Sequence, residues 1–153
     1  MNPKTQAALL KGAITGGLTN GIINGIIHWF QVRSQSSIFL TVDNITNTEH
    51  TVLGGGVMLA TSLAAILTMI TFFTVRSDSK PAFFPGALVL ILKNSFFAFG
   101  MMVTVSVIIQ RIFGSIAVSP QVSVIITGAI AAVVAGLVDY LTKKNLTFNH
   151  TII

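Results

Sequence analysis

The chain has 153 residues, of which 52% are hydrophobic and only 8% are charged. Soluble domains carry about 25% charged residues, so this composition indicates a membrane protein and excludes an ordinary soluble domain. The chain has no cysteine, which excludes disulfides, thiolate metal sites and cysteine nucleophiles. The net charge of +5 comes from basic residues that mostly flank hydrophobic runs, so membrane orientation explains it better than nucleic-acid binding does.

Four apolar runs are long enough to cross a bilayer, whose hydrocarbon core of about 30 Å needs about 20 helical residues. They predict transmembrane helices over residues 7–30, 51–75, 87–112 and 121–142. An even number of crossings puts both termini on one side of the membrane. The basic residues on that side are Lys4, Lys11, Arg76, Lys80, Lys143 and Lys144, whereas the opposite side has Arg33 and Arg111. This asymmetry predicts cytoplasmic termini.

The predicted fold is therefore an all-α integral membrane protein. Residues 1–153 form a single domain of four transmembrane helices, and we expect it in a prokaryotic inner membrane. Four helices of this length enclose too little volume for a wide private pore. We therefore expect a homo-oligomeric helical bundle.

The first run carries a row of glycine, amide and imidazole groups, which we call the polar row. It consists of Gly12, Gly16, Asn20, Asn24 and His28, every fourth residue, and so lies on one helix face. An amide in hydrocarbon must find a partner, so the row predicts either hydrogen bonds to another helix or the lining of a hydrated path. We weigh these two interpretations evenly. For His28, near the outer end, we favour a solvated or capping role.

Polar residues of the later runs could extend this path. In the third run, Thr104 shares an arc with Lys93, and both Lys93 and Asp139 lie within a few turns of the cytoplasmic boundary. They could form an inner charged pair. The alternatives are that Lys93 extends its amine to the interface and that Asp139 is a helix-end residue near Lys143, and for each residue alone we favour them.

The predicted outer side carries a separate set of charges, Arg33, Asp43, Glu49 and Arg111. Ordinary surface pairs are the favoured interpretation, and a ring around an oligomer axis that selects ions is the alternative. Between the first two helices, the apolar stretch 38–45 predicts a loop packed over the bundle.

Small residues repeat at four-residue spacing in two of the runs. They are Gly17, Gly21 and Gly25 in the first run, and Gly128, Ala132 and Gly136 in the fourth. Such spacing lets helix backbones approach closely, so it predicts packing rather than a functional site.

A faint internal similarity relates the two halves of the chain. The first helix is followed by Ser37-Ile38 and the third by Ser115-Ile116, each after a glutamine and an arginine. A parallel two-helix repeat of the kind used by some transporters would produce this similarity. Because the match covers few residues, we interpret it as coincidence.

The sequence lacks the usual catalytic patterns. It has no histidine pair with metal-ligand spacing, no phosphate-binding loop and no nucleophile elbow, so we expect no enzyme activity, no metal site and no cofactor. The expected partners are the lipid bilayer, further copies of the chain and a small polar solute or ion, but not nucleic acid.

Two functions remain, and we favour the first. One is a transport protein, a channel or permease for an ion or small polar solute whose path follows the polar row. The alternative is a non-transporting assembly, scaffold or protective membrane protein that uses the same face to bind another helix.

Overall fold

The computed structural model describes residues 3–42, 51–76 and 80–148. These residues form long helices and a small two-stranded sheet. In chain order they are α1 (Pro3–Val32), β1 (Ile38–Leu40), α2 (Val52–Thr74), α3 (Leu88–Phe113), β2 (Ile116–Val118) and α4 (Pro120–Phe148). A kinked helical turn, Phe83–Ala87, leads into α3.

Three helical segments are long and apolar enough to cross a membrane: Val52–Thr74, Phe83–Phe113 and Pro120–Thr147. With them, the prediction of a helical membrane protein is confirmed. The fourth helix, α1, has 30 residues and therefore sufficient length. Its two lysines and its amides make it less apolar than the other three.

The predicted helix limits lie within two residues of the observed ones except at the start of α1, which begins at Pro3 rather than residue 7, and at the end of α4. That helix continues past the predicted limit at residue 142 because Leu146 is buried in a cluster with Phe72 and Leu90. At its other end, α4 begins with Pro120, which suits a first helical turn. Ser119 supports that turn, since its Oγ accepts a hydrogen bond from the backbone N–H of Val122 at 3.4 Å.

The helices lie side by side in the order α1, α4, α2, α3. Helix α1 packs almost entirely on α4, α4 also packs on α2, and α2 packs on α3. We call the end of the bundle that carries β1 and β2 the sheet end. The opposite end, where α1 begins, α4 ends and α2 connects to α3, is the turn end. Helices α1 and α3 are therefore the two edges of the row.

The glycine repeats form the contact between α1 and α4. A Cβ atom on Gly17 would lie 2.6 Å from the carbonyl oxygen of Ala132, and one on Gly21 would lie 2.8 Å from that of Gly128. Contacts this short leave no room for a side chain, so the backbones touch along the helices. The predicted close packing is confirmed, and these two repeats face each other.

A short antiparallel sheet joins the loops at the sheet end and was not predicted. Ile38 pairs with Val118, and Leu40 pairs with Ile116. Ile38 and Leu40 are buried in the main hydrophobic core, together with Val57 of α2. The described part of this loop therefore packs over the bundle as predicted, and it does so through a strand.

The principal contacts have the symmetry of a two-helix repeat. One half of the chain consists of α1, β1 and α2, and the other consists of α3, β2 and α4. If the halves are exchanged, the contact of α1 with α4 becomes the contact of α3 with α2. The same exchange leaves the α2–α4 contact and the antiparallel strand pair unchanged. The helix contacts therefore follow the order that a parallel two-helix repeat would produce, which is the alternative to coincidence.

This repeat relates the polar row of α1 to the core face of α3. Strand β1 begins at Ile38 and strand β2 begins at Ile116, which is 78 residues later. The same spacing carries the polar row onto Leu90, Asn94, Ala98, Met102 and Ser106, which are the buried residues of α3. On α3 these positions are mostly apolar and packed, whereas on α1 they carry amides and an imidazole.

A polar cluster centred on Asn94 lies in the core. The amide Nδ2 of Asn94 donates hydrogen bonds of 2.9 Å to the hydroxyl oxygens of Thr68 and Thr142. All three residues are at least 98% buried. These bonds connect α2, α3 and α4 near the turn end and fix their relative positions.

Candidate functional site

A partly enclosed cavity of about 500 Å³ lies at the sheet end between α1, α2 and α4, and we call it the cleft. Sites for small molecules typically occupy about 300–1,000 Å³. The side chains of the cleft combine amides, hydroxyls, an imidazole and a few aliphatic groups. Its lining consists of Asn24, Ile27, His28, Gln31, Val32, Gln35, Thr51, Val52, Gly55, Leu59 and Thr127.

The outer half of the polar row lines the cleft. Asn24 and His28 are half-buried there. Asn24 donates from Nδ2 to the carbonyl oxygen of Asn20 at 2.9 Å, and Asn20 donates in the same way to Gly16. Both amides therefore satisfy one N–H group within their own helix, so their bonds do not hold α1 to its neighbour.

His28 connects α1 to α4 beside the cleft. Its Nε2 lies 2.6 Å from the hydroxyl oxygen of the fully buried Ser123, and its Nδ1 lies 3.4 Å from Oε1 of Gln31. This geometry corrects the expectation of a solvated or capping histidine. The reason is the close approach of α1 and α4 at the glycine repeats, which brings the imidazole within hydrogen-bonding distance of the next helix.

Thr51 contributes a buried hydroxyl without a partner. It precedes the first residue of α2, where a threonine commonly accepts a hydrogen bond from the helix amides. Here the side chain makes no capping bond, and the N–H of Gly54 donates instead to the backbone carbonyl of Thr41 at 3.2 Å. Among the described residues, Oγ1 of Thr51 has no hydrogen-bond partner, and the residue is only 6% exposed. A buried polar group without a partner is unfavourable, and neighbouring atoms cover this oxygen, so it is not open to the cleft.

The α2 wall of the cleft is small and apolar. Gly55 is exposed, and a Cβ atom placed there would meet nothing within 4 Å. Leu59 and Ile27 supply aliphatic surface opposite the amides. Among the described lining residues none is charged.

Towards the turn end, the polar row continues beside an apolar layer. Asn20 and Gly16 are half-buried. Leu63 of α2 packs on Ala131 and Ala135 of α4, with Leu59 and Leu67 at the edge of the cluster. This aliphatic layer separates the cleft from the polar groups near the other end of α4.

Those polar groups are centred on Asp139, whose ion pair differs from the predicted one. Lys143 Nζ lies 2.6 Å from Asp139 Oδ2, and Thr71 donates a hydrogen bond of 3.1 Å to Oδ1. Lys93 is exposed on α3, so the predicted pair with Asp139 is not formed. Residues 139 and 143 are one turn apart on one helix, whereas α3 and α4 make little contact.

Other predicted site residues lie away from the cleft. Thr104 is exposed on α3 and donates to the carbonyl oxygen of Gly100 in its own helix, so the structure does not bring it to the polar row. Arg33 lies over the ring of Phe30, with 5.2 Å between the guanidinium carbon and the ring centroid. Arg111 is exposed near Val42.

Two of the predicted outer charges, Asp43 and Glu49, fall outside the described residues.

Sequence reasoning missed several residues that complete the cleft. Thr127 and Ser123 fall one turn apart on the face of α4 that meets α1, and this spacing was a usable signal. Gln31 was predicted to follow the first helix, although α1 continues to Val32, whereas Gln35 lies in the connection after α1 as predicted. Thr51 could not have been recognised, because only the folded backbone shows that its hydroxyl makes no cap.

Among the residues that the structure describes, no three histidine, aspartate or glutamate side chains come together as metal ligands. The polar groups of the cleft are instead suited to hydrogen bonding with a ligand or with water.

Comparisons with protein-family models, with curated proteins and with solved structures give no match for this chain.

Proposed function

We propose that this protein is a small transport protein, a channel or permease, whose solute path follows the polar row of α1. The observation that carries the proposal is the half-buried position of Asn20 and Asn24 in the polar row, where their amides bond within α1. The row 78 residues later on α3 is instead fully buried, and its amide, Asn94, is paired in the core. On α1 the row carries amides and opens into the cleft. Polar groups in a membrane protein are costly and commonly mark a solute pathway.

The proposal includes four membrane crossings with both termini in the cytoplasm. The packing of α1 against α4 supports a crossing by α1. This contact begins where Ala13 meets Gly136 and continues to the hydrogen bond of His28 with Ser123. Support for the orientation comes from the basic residues. Within the described chain, the turn end carries Lys4, Lys11, Arg76, Lys80, Lys143 and Lys144, and the sheet end carries Arg33 and Arg111. The cleft would then face the outside of the cell.

Orientation has a direct test because the chain has no native cysteine. Ser34→Cys and Lys144→Cys place single thiols at exposed positions near opposite ends of the bundle. A membrane-impermeant maleimide added to intact cells should label Ser34→Cys alone. Labelling of Lys144→Cys alone would reverse the orientation, and labelling of both would contradict a single orientation.

The proposed path has two polar ends and an apolar centre. A solute would enter the cleft and exchange water for the amides of Asn24 and Gln35. It would then pass Asn20 beside the layer formed by Leu63 and its alanine neighbours. This layer is the natural barrier, since it must move or be wetted before a polar solute can reach the Asp139–Lys143 pair.

A homo-oligomer is part of the proposal. Helix α1 lies at an edge of the bundle and leaves both Asn20 and the aliphatic Ile22 and Ile26 incompletely covered. A second copy placed against this edge would close the open side of the path. It would also explain how so small a chain encloses a solute.

The proposal is tested by flux through proteoliposomes that contain the purified protein. Asn20→Leu combined with Asn24→Leu removes the amides and should abolish solute movement. The matched control combines Thr15→Leu with Thr19→Leu, two exposed positions on another face of the same helix, and should keep the flux. Equal flux in the two double variants would contradict the proposal.

The alternative is a non-transporting assembly protein, and one observation favours it. Within the described part of the chain, the amides of Asn20 and Asn24 donate to carbonyl oxygens of their own helix, which leaves this face suited to a partner helix. In that case the wild-type protein would move no solute, and the double asparagine variant would dissociate a complex.

A further inference from the structure

We infer that the cleft binds an uncharged polyhydroxy solute, a polyol or a monosaccharide. The inference deepens the proposed transport function and rests on it, but it concerns the ligand rather than its movement. Two kinds of observation support it: the absence of lysine, arginine, aspartate and glutamate from the described lining, and the supply of hydrogen-bonding groups.

Charge is the first argument. The described lining of the cleft contains no lysine, arginine, aspartate or glutamate. Arg33, which follows the cleft residues on α1, is turned over the ring of Phe30. A charged ligand that left water for this cleft would lose hydration without gaining a counter-ion, which is unfavourable. Apart from the imidazole of His28, the described lining therefore offers no counter-charge to an ion of either sign.

Hydrogen bonding is the second argument. Asn24, Gln31 and Gln35 supply amide groups, each of which contains a carbonyl acceptor and two N–H donors. One N–H of Asn24 and the Oε1 of Gln31 already have partners within α1, so the remaining amide groups are the ones offered to a ligand. Thr127 adds a hydroxyl, which both donates and accepts. A hydroxyl group on a ligand also donates and accepts, so a compound with several hydroxyls can pair with this mixed lining. The aliphatic side chains of the cleft match the carbon skeleton of such a compound.

The test is equilibrium binding to the protein in lipid nanodiscs with four probes of related six-carbon skeletons. Glucose and sorbitol are uncharged, gluconate is an anion and glucosamine is a cation. Saturable binding of glucose or sorbitol is expected, with gluconate and glucosamine weaker by about tenfold or more. Equal or tighter binding of either charged compound, or no binding of both uncharged compounds, would overturn the inference.

A pair of variants locates the binding. Gly55→Leu extends a side chain into the cleft and should weaken binding by about tenfold or more, whereas Gly100→Leu on α3, equally unobstructed, should not. Equal effects of the two variants would place the ligand elsewhere.

The same preparation separates this inference from the transport proposal. If glucose or sorbitol binds at the cleft but no solute crosses the proteoliposome membrane, the ligand assignment stands and transport fails. If a charged solute crosses while neither uncharged probe binds, transport stands and the ligand assignment fails.

Discussion

The imidazole of His28 and the hydroxyl of Ser123 are hydrogen-bonded at 2.6 Å, and this contact joins α1 to α4 at the cleft. The serine is fully buried. Ser123→Ala should lower the free energy of unfolding by about 1 kcal/mol, because it removes one bond between helices. Unfolding by SDS in mixed micelles measures the change. Ser62→Ala is the control, since Ser62 is exposed and bonds only to its own helix. A loss no larger than the control's would contradict this role for Ser123.

The glycine contact between α1 and α4 gives a second prediction. Gly17→Ala would place a methyl group 2.6 Å from a backbone oxygen of α4, so the helices must separate. We expect a loss of about 1–3 kcal/mol, which is typical of overpacking. The neighbouring Gly16→Ala meets nothing within 4 Å and should be neutral or stabilising. Thermal unfolding in detergent compares the two variants, and the reverse order of stability would exclude this packing.

Asn94 provides a third prediction, which separates a structural amide from the amides of the polar row. Asn94→Leu removes two bonds in the core and leaves Thr68 and Thr142 without their shared donor. The expected loss of unfolding free energy is about 1–3 kcal/mol. Asn20→Leu should have little effect on stability, because Asn20 is half-buried and bonds its own helix. The unfolding free energies of both variants are measured in the same micelles. Equal stability of the two variants would contradict the structural role of Asn94.

The ion pair of Asp139 gives a fourth prediction, measured by double-mutant cycles. Asp139→Asn and Lys143→Met should show a coupling energy of up to about 1 kcal/mol, as is usual for partly exposed pairs. The cycle of Asp139→Asn with Lys93→Met should show none, because Lys93 is exposed on another helix. Coupling only in the second cycle would restore the pair predicted from the sequence.

The sequence predicted the helices and the glycine contact because both depend on local patterns. Run length and four-residue spacing identify a membrane helix and its small face without knowledge of the fold. The polar row was recognised for the same reason. Its geometry on the helix is fixed by 3.6 residues per turn, whatever packs against it.

The partners of these residues could not be predicted, since they depend on which helices are neighbours. Lys93 was paired with Asp139 on membrane depth alone, and the order of the helices separates them. Asn94 resembled any single amide in an apolar run until two threonines from different helices were found beside it. The two strands are three residues each, too short to show an alternating pattern.

The central claim is that solute passes through the cleft, and Gly55→Leu tests it most directly. The leucine fills open space, so it should block the path without disturbing the helices. In proteoliposomes loaded with labelled glucose or sorbitol, the wild type and Gly100→Leu should release the solute at similar rates. Gly55→Leu should release it at least about tenfold more slowly, which corresponds to about 1.4 kcal/mol. Equal release by Gly55→Leu and Gly100→Leu would contradict the claim.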